Sequence, residues 1–181
     1  MKILMHICCS NCSIYPLQNL LLKNMKIKGL WFNPNIHPYT EYTKRLESLR
    51  KLEKLWSFEV EYIDEYPLDE FLKATVAQGA NRCRGCYTIR LDRTAEAAKK
   101  MGFDAFTTSL LVSPYQRFDI ITEVGEEMAG KHGVEFYRAD FRKGWHISKA
   151  LSTELDLYKQ KYCGCIYSEM ERYQKKKKAT G

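Results

Sequence analysis

This 181-residue sequence predicts a single α/β domain, with five short, mainly parallel strands and helices on both faces of the sheet. Three observations lead there. Apolar runs of strand length recur five times and alternate with segments whose apolar residues repeat every three or four positions. Hydrophobic residues make up 45% of the chain, enough at this length to bury one sizeable core. No internal repeat and no Gly/Ser/Pro-rich linker interrupts the alternation.

The first strand, Ile3 to Ile7, runs into His6-Ile7-Cys8-Cys9-Ser10-Asn11-Cys12. A helix follows, with Pro16 in its first turn and Leu17, Leu20, Leu21 and Met25 on one side. Ile27 to Phe32 is a second buried strand, ending in Asn33-Pro34-Asn35-Ile36-His37-Pro38, a loop stiffened by two prolines. From Tyr39 to Trp56 the residues Tyr42, Leu46, Leu49, Leu52 and Trp56 mark one face of a long amphipathic helix. Phe58 to Ile63 alternates as a third strand, and Pro67, Asp69 and Glu70 open a short helix through Phe71 and Leu72. Residues 77–86 read as a loop carrying Cys83 and Cys86, before a helix with Tyr87, Leu91, Ala95, Ala98 and Met101 on its apolar face. Phe103 to Ser109 is the fourth strand, Ser113-Pro114 announces a helix from Arg117 to Lys131, and Val134 to Tyr137 is the fifth strand, leading to Asp140. The remainder reads as helical, broken at Tyr162-Cys163-Gly164-Cys165. The expected division is an α/β core over 1–142 and a helical C-terminal extension over 143–181, in one catalytic domain. In such a sheet the loops leaving the carboxyl ends of the strands gather at one edge, where ligands bind.

The chain has 29 basic against 22 acidic residues, a formal charge of +7 and a pI near 9.0, which favours a polyanionic partner. Part of the excess is the run Lys175 to Lys178, which a solvated terminus explains equally well. The N-terminus shows neither the apolar segment nor the small-residue cleavage site of a signal peptide, and no run approaches the ~18–20 apolar residues of a membrane helix. A cytoplasmic monomer without membrane attachment is expected. Seven cysteines in that compartment point to ligation or catalysis instead of a disulfide framework.

Cys8, Cys9 and Cys12 open one helix, and Cys83 and Cys86 open another. Two such corners can supply four thiolates to a tetrahedral zinc or to a [4Fe–4S] cluster. Buried cysteines packing as small hydrophobes are the plain alternative. Cys163-Gly164-Cys165 can close only a small strained ring, which suits a labile dithiol/disulfide pair; extra metal ligation and inert thiols are the other readings. His6 fits a satisfied core group, and His37 lies in a loop able to face the site. His146 follows Trp145 beyond Asp140, and His132 sits where a helix C-cap would. Asp140 can bind iron, donate a proton, hold a ribose or merely cap a helix. Arg45, Arg82, Arg84, Arg90, Arg117, Arg138 and Arg142, interleaved with Tyr39, Tyr87, Tyr115 and Tyr137, suit phosphates around an unstacked base.

Taken together these residues resemble the epoxyqueuosine reductase QueH family. The resemblance covers nearly the whole chain. Its carriers are His6-Ile7-Cys8-Cys9-Ser10-Asn11-Cys12, Asn33-Pro34-Asn35-Ile36-His37-Pro38 with Glu41-Tyr42 and Arg45, Arg82-Cys83-Arg84-Gly85-Cys86-Tyr87 with Arg90-Leu91, Ser113-Pro114-Tyr115, and Tyr162-Cys163-Gly164-Cys165-Ile166-Tyr167-Ser168. The departure is Ser10-Asn11, where a small residue and proline are expected; loop stiffness changes and every thiol stays. The resemblance implies a fold of the adenine nucleotide α-hydrolase (HUP) kind, a [4Fe–4S] cluster on Cys8, Cys9, Cys83 and Cys86, and a redox-active Cys163–Cys165 pair. It also implies a second, mononuclear iron beside the cluster, for whose surroundings Cys12 and Asp140 are the candidates from this sequence. The implied reaction removes the epoxide oxygen of epoxyqueuosine at the wobble position of tRNA, with electrons from a donor not identified by the sequence.

Two rival readings are an iron–sulfur tRNA thiolase and a non-catalytic, zinc-stabilised RNA-binding module. ATP-dependent thiolases carry a glycine-rich loop after the first strand, whereas this chain has no glycine before Gly29. The zinc module leaves Cys163-Gly164-Cys165 without a purpose.

Overall fold

A computed structural model describes residues 1–174; the Lys175 to Lys178 run lies outside the described residues. One five-stranded parallel sheet is formed by β1 (Lys2–His6), β2 (Lys26–Trp31), β3 (Val60–Tyr62), β4 (Ala105–Thr108) and β5 (Glu135–Phe136), in the order β3-β2-β1-β4-β5. Its helices are α1 (Ser10–Leu22), α2 (Tyr39–Trp56), α3 (Leu68–Val76), α4 (Arg82–Lys100), α5 (Phe118–His132), α6 (Trp145–Glu154) and α7 (Ile166–Tyr173). They form two groups: α1 packs against α2 and α6, while α4 packs against α3 and α5.

The central strand reads as an unbroken apolar run because both of its faces are covered. Ile3, Leu4, Met5 and Ile7 are fully buried. Each such side chain contributes roughly 1.5–3 kcal/mol relative to exposure. His6 is level with Leu30 of β2 on one side and Thr108 of β4 on the other, so three strands end together. The strand order reverses between β1 and β4, the switch point at whose carboxyl edge ligands of open α/β sheets bind.

Several expected boundaries shift. The fourth and fifth strands shorten to four and two residues, and α5 runs one residue past Lys131. Helix α1 starts at Ser10, so Pro16 lies in its interior instead of its first turn, and Leu21 turns out to solvent. The expected 77–86 loop is partly helical: a 3-10 turn at Gly79–Asn81 runs straight into α4, which puts Cys83 and Cys86 within that helix's first five residues. The C-terminal part is also less helical than its pattern suggests. Between α6 and α7 the chain from residue 155 to residue 165 is irregular, and it is this segment that reaches the site.

The extension is fastened to α1 by close packing. Gly144 lies so near the ring of Tyr15 that a Cβ would fall 1.9 Å from its Cγ. Tyr15 also meets Phe141 edge-on at 6.5 Å, and its backbone amide donates to Ser148 Oγ at 3.1 Å. Gly144→Ala is therefore expected to overpack this seam and lower stability by about 1–3 kcal/mol. Urea unfolding would show a lower midpoint with an unchanged slope, and the cost should shrink in the Tyr15→Ala background.

Candidate metal and thiol site

The loop after β1 folds onto the start of α1 and presents three buried sulfurs. Cys9 is the N-cap of α1: its backbone is extended, and its Sγ accepts from the Cys12 amide at 3.3 Å. Cys8 is pinned to the end of β4, since its amide donates to Ser109 Oγ at 3.0 Å and the Ser109 hydroxyl donates to its Sγ at 3.3 Å. The sulfurs of Cys8, Cys9 and Cys12 lie within 4.8 Å of one another, the one grouping of potential ligands of this size among the described residues. Sulfur-only donors packed this closely suit a thiophilic metal or an iron–sulfur cluster.

Charge is unevenly shared in this trio. Hydrogen bonds from the Cys12 and Cys9 thiols hold Cys8 well below its ordinary value. Burial pushes Cys9 up, and bonding to Cys8 pushes Cys12 up. Within the trio, negative charge is therefore favoured on Cys8 over Cys9 and Cys12. Behind them His6 is fully buried, with Nδ1 at 2.9 Å from Thr108 Oγ1 and Nε2 at 3.3 Å from the Phe32 carbonyl. Burial, followed by the nearby Arg90 charge, lowers its pKa to about 4, so the ring is neutral at pH 7.

Cys83, Cys86, Cys163 and Cys165 line a single adjoining pocket with Asn35 and Arg90. All seven cysteines are free thiols. Burial raises Cys83 and pushes Cys86 up to about 12, so both are neutral as they stand. Gln116 closes one side: the Tyr87 hydroxyl donates to its Oε1 at 2.9 Å, which turns its amide nitrogen toward Cys163 Sγ at 3.2 Å. Gly164 has φ of 149°, a conformation open to glycine and strained for any other residue at this position.

The irregular 155–165 segment is held across the sheet edge by polar contacts. Arg45, 2% exposed, donates to Glu41 at 2.7 Å, to the Cys163 carbonyl at 2.8 Å and to the Tyr162 carbonyl at 3.0 Å. The His37 amide donates to the Gly164 carbonyl at 2.8 Å, and the Tyr162 hydroxyl to the His37 carbonyl at 2.6 Å. Gln160 lies over the trio, with its amide nitrogen 3.0 Å from Cys9 Sγ and 3.5 Å from Cys12 Sγ.

The sequence-predicted residues thus fall into three sets. Cys8, Cys9 and Cys12 meet as one group, and Cys83, Cys86, Cys163 and Cys165 meet around the pocket. Asp140 joins neither. It is exposed, accepts from the Arg142 amide at 3.0 Å and pairs with that guanidinium through both oxygens. His37 is buried edge-on to Phe71 and Tyr66 with its ring nitrogens unpartnered, and His132 pairs with Asp92 at 2.6 Å. Of the residues grouped as nucleic-acid contacts, Arg45, Arg90 and Tyr87 are buried, Arg82 pairs with Glu171, and Arg84 pairs with Glu123 and Glu127. Tyr115 is 82% exposed. Gln116, Gln160 and Ser109 are site residues that sequence reasoning passed over, because a lone amide or hydroxyl carries no spacing signal.

The sequence model of the family described as Epoxyqueuosine reductase QueH matches residues 3–171. Relatives bearing that same description include a Dehalococcoides mccartyi protein, 39% identical over 174 residues and covering 96% of both chains. A Thermotoga maritima protein is 36% identical over 183 residues, covering 96% of this chain and 93% of its own length. Among solved structures, the predicted subunit of a tRNA methyltransferase from Methanocaldococcus jannaschii superposes with a TM-score of 0.54 at 10% identity, covering 85% of this chain and 76% of that one. The U34-tRNA thiolase NcsA from Methanococcus maripaludis with its [4Fe–4S] cluster gives 0.51 at 18% identity, over 93% and 61%. These two likenesses concern the fold.

Two outcomes follow from the geometry. Arg45→Met would leave Glu41 buried without its cation and release two carbonyls of the thiol loop. Breaking one side of such a pair costs about 3–5 kcal/mol, visible in denaturant unfolding together with faster proteolysis between residues 155 and 165. Titrating the reduced, metal-free protein with Cd2+ at pH 7 should release at least two protons per ion, since the raised Cys9 and Cys12 thiols must be deprotonated on binding. In Cys8→Ser, both the proton release and the thiolate–metal absorption should fall away.

Proposed function

This chain belongs to the epoxyqueuosine reductase QueH family, and on that premise we propose how its own residues divide the work of the reaction. The substrate is the epoxide of epoxyqueuosine at the wobble position of tRNA. Two electrons and two protons convert it to the cyclopentene of queuosine and one water. The observation that carries this reading is the gathering of the buried Cys8, Cys9 and Cys12 sulfurs in one group and of Cys83, Cys86, Cys163 and Cys165 around one pocket that the buried Arg90 also lines.

A [4Fe–4S] cluster is assigned to Cys8, Cys9, Cys83 and Cys86, with Cys12 beside a second, mononuclear iron. The donor set suits it: the trio is sulfur-only and buried, and two more thiols stand near the start of α4. The NcsA thiolase, a protein of similar fold solved with its [4Fe–4S] cluster, lends support. When bound, that group supplies single electrons and a Lewis-acidic iron. Asp140 stays outside this assignment because Arg142 occupies both its oxygens.

The chain does the rest. Gln160 and Ser109 donate hydrogen bonds to the sulfurs of Cys9 and Cys8 and so fix their orientation. Cys163 and Cys165 act as a dithiol that gives up two electrons and two protons as it closes to a disulfide, and an external donor reopens it. Gln116 steadies the Cys163 sulfur through this cycle. The segment 143–181 is a working part of one catalytic domain with the 1–142 core, because it carries the dithiol to the pocket. The +7 charge suits a tRNA partner, with Tyr115 and Arg117 exposed beside Gln116 to meet it. No helix among the described residues is long and apolar enough to cross a membrane, and a cytoplasmic monomer fits this work.

Anaerobically purified protein should contain iron and sulfide and should reduce epoxyqueuosine in tRNA, with activity falling steeply as salt rises. Cys83→Ser and Cys86→Ser should lose the visible iron–sulfur absorption. Cys163→Ser should keep its iron and sulfide and complete little beyond a first turnover. Zinc without sulfide in the wild type, or equal activity on the free nucleoside at every salt concentration, would overturn the reading.

A further inference from the structure

Arg90 is the least explained charged residue of the molecule. It stands on α4 between the two groups of thiols and is 1% exposed. Its Nε donates to the Cys86 carbonyl at 3.1 Å, the guanidinium lies 5.6 Å from the centre of the Tyr87 ring, and one terminal nitrogen has no partner. No carboxylate pairs with it among the described residues, in contrast to Arg45, which has Glu41. A fixed positive charge taken out of water without a counter-charge is strongly unfavourable. The fold tolerates it, so the compensating negative charge has to come from its surroundings. Those surroundings are sulfur: Cys86 lies one helical turn before it, and Cys163 lines the same pocket. Burial works against the Arg90 charge, while the sulfurs of Cys86, Cys163 and Cys8 favour it.

We propose that Arg90 is the built-in counter-ion of the metal–thiolate centre, a positioning residue whose unpartnered guanidinium nitrogen faces the negative charge of the loaded site and raises its reduction potential. This rests on the metal-centre reading of the preceding section. A thiolate-bound cluster is anionic and becomes more so on accepting an electron, so a nearby fixed cation favours the reduced state. Arg90 also cannot give up its proton, which keeps that effect constant across the working pH range.

The test compares wild type, Arg90→Met and Arg90→Lys as purified, cluster-containing proteins. Circular dichroism, iron and sulfide content, and the midpoint potential from an anaerobic spectroscopic titration are measured for each. The expected result is a midpoint shifted to more negative values in Arg90→Met and largely restored in Arg90→Lys, with equal iron content. A folded Arg90→Met that fails to hold iron while Arg90→Lys holds it would equally show that the centre needs the charge. The proposal fails if Arg90→Met keeps the wild-type midpoint. It also fails if both variants shift alike, or if both fold but neither holds iron, because shape and not charge would then be what Arg90 supplies. A wild type that carries no iron–sulfur centre at all would instead defeat the underlying reading.

Discussion

The buried Arg45–Glu41 pair is the joint on which the site depends. Its partners lie far apart in sequence: Glu41 is one turn earlier on α2, while the carbonyls of Tyr162 and Cys163 belong to the C-terminal segment. An irregular loop cannot satisfy its own carbonyls, and those facing protein need donors from elsewhere. One guanidinium supplies two of them in a fixed planar fork, which a lysine could not match. Glu41 is held in turn by the Tyr158 hydroxyl at 2.5 Å, so the same loop that Arg45 grips also keeps the Arg45 counter-charge in place. Removing any one member loosens the others, and the Cys163 and Cys165 thiols would lose their place opposite α4.

The same economy separates the two buried arginines. Arg45 has a carboxylate and serves the architecture. Arg90 has none, and its setting makes sense only beside acquired negative charge. Of the sulfurs around it, Cys86 and Cys163 are pushed up by burial and so kept protonated without a metal. Metal binding would expel those protons and create the counter-charge that Arg90 lacks. Loading of the site and satisfaction of the buried cation are thereby linked, and the metal-free protein should be the strained form.

What the sequence showed and hid follows from the kind of signal each part carries. The β1 run, the α2 periodicity and the paired cysteines at two helix starts were legible because they repeat or cluster. Strand β5 keeps only two residues of sheet pairing, which no pattern can bound. Of the segment 155–165 only the break at Tyr162 to Cys165 was legible, because the conformation of the whole is fixed by distant partners, Arg45, His37 and Ser48, and not by local propensity. Asp140 was attractive because it follows a strand; the structure gives it a guanidinium two residues away and leaves it on the surface. Arg45 and Arg90 were visible but were grouped with residues suited to phosphates, since burial of a long cationic side chain cannot be read from spacing.

The start of α1 shows how a common architecture is turned to different chemistry. In open α/β sheets the helix that follows the first strand ends its N-terminus in unpaired amides, and a glycine-rich turn lets a phosphate approach them. Here that position is filled from within: the Cys9 sulfur takes the Cys12 amide, and Cys8 is drawn back onto Ser109 at the end of β4. With side chains occupying the space, an incoming phosphate would have to displace buried thiols. The partial positive charge of the helix end is not wasted, because it favours a thiolate as well as it favours a phosphate. Replacing glycines with cysteines therefore keeps the electrostatics of the helix end and exchanges a site that holds an anion briefly for one that can hold a metal permanently.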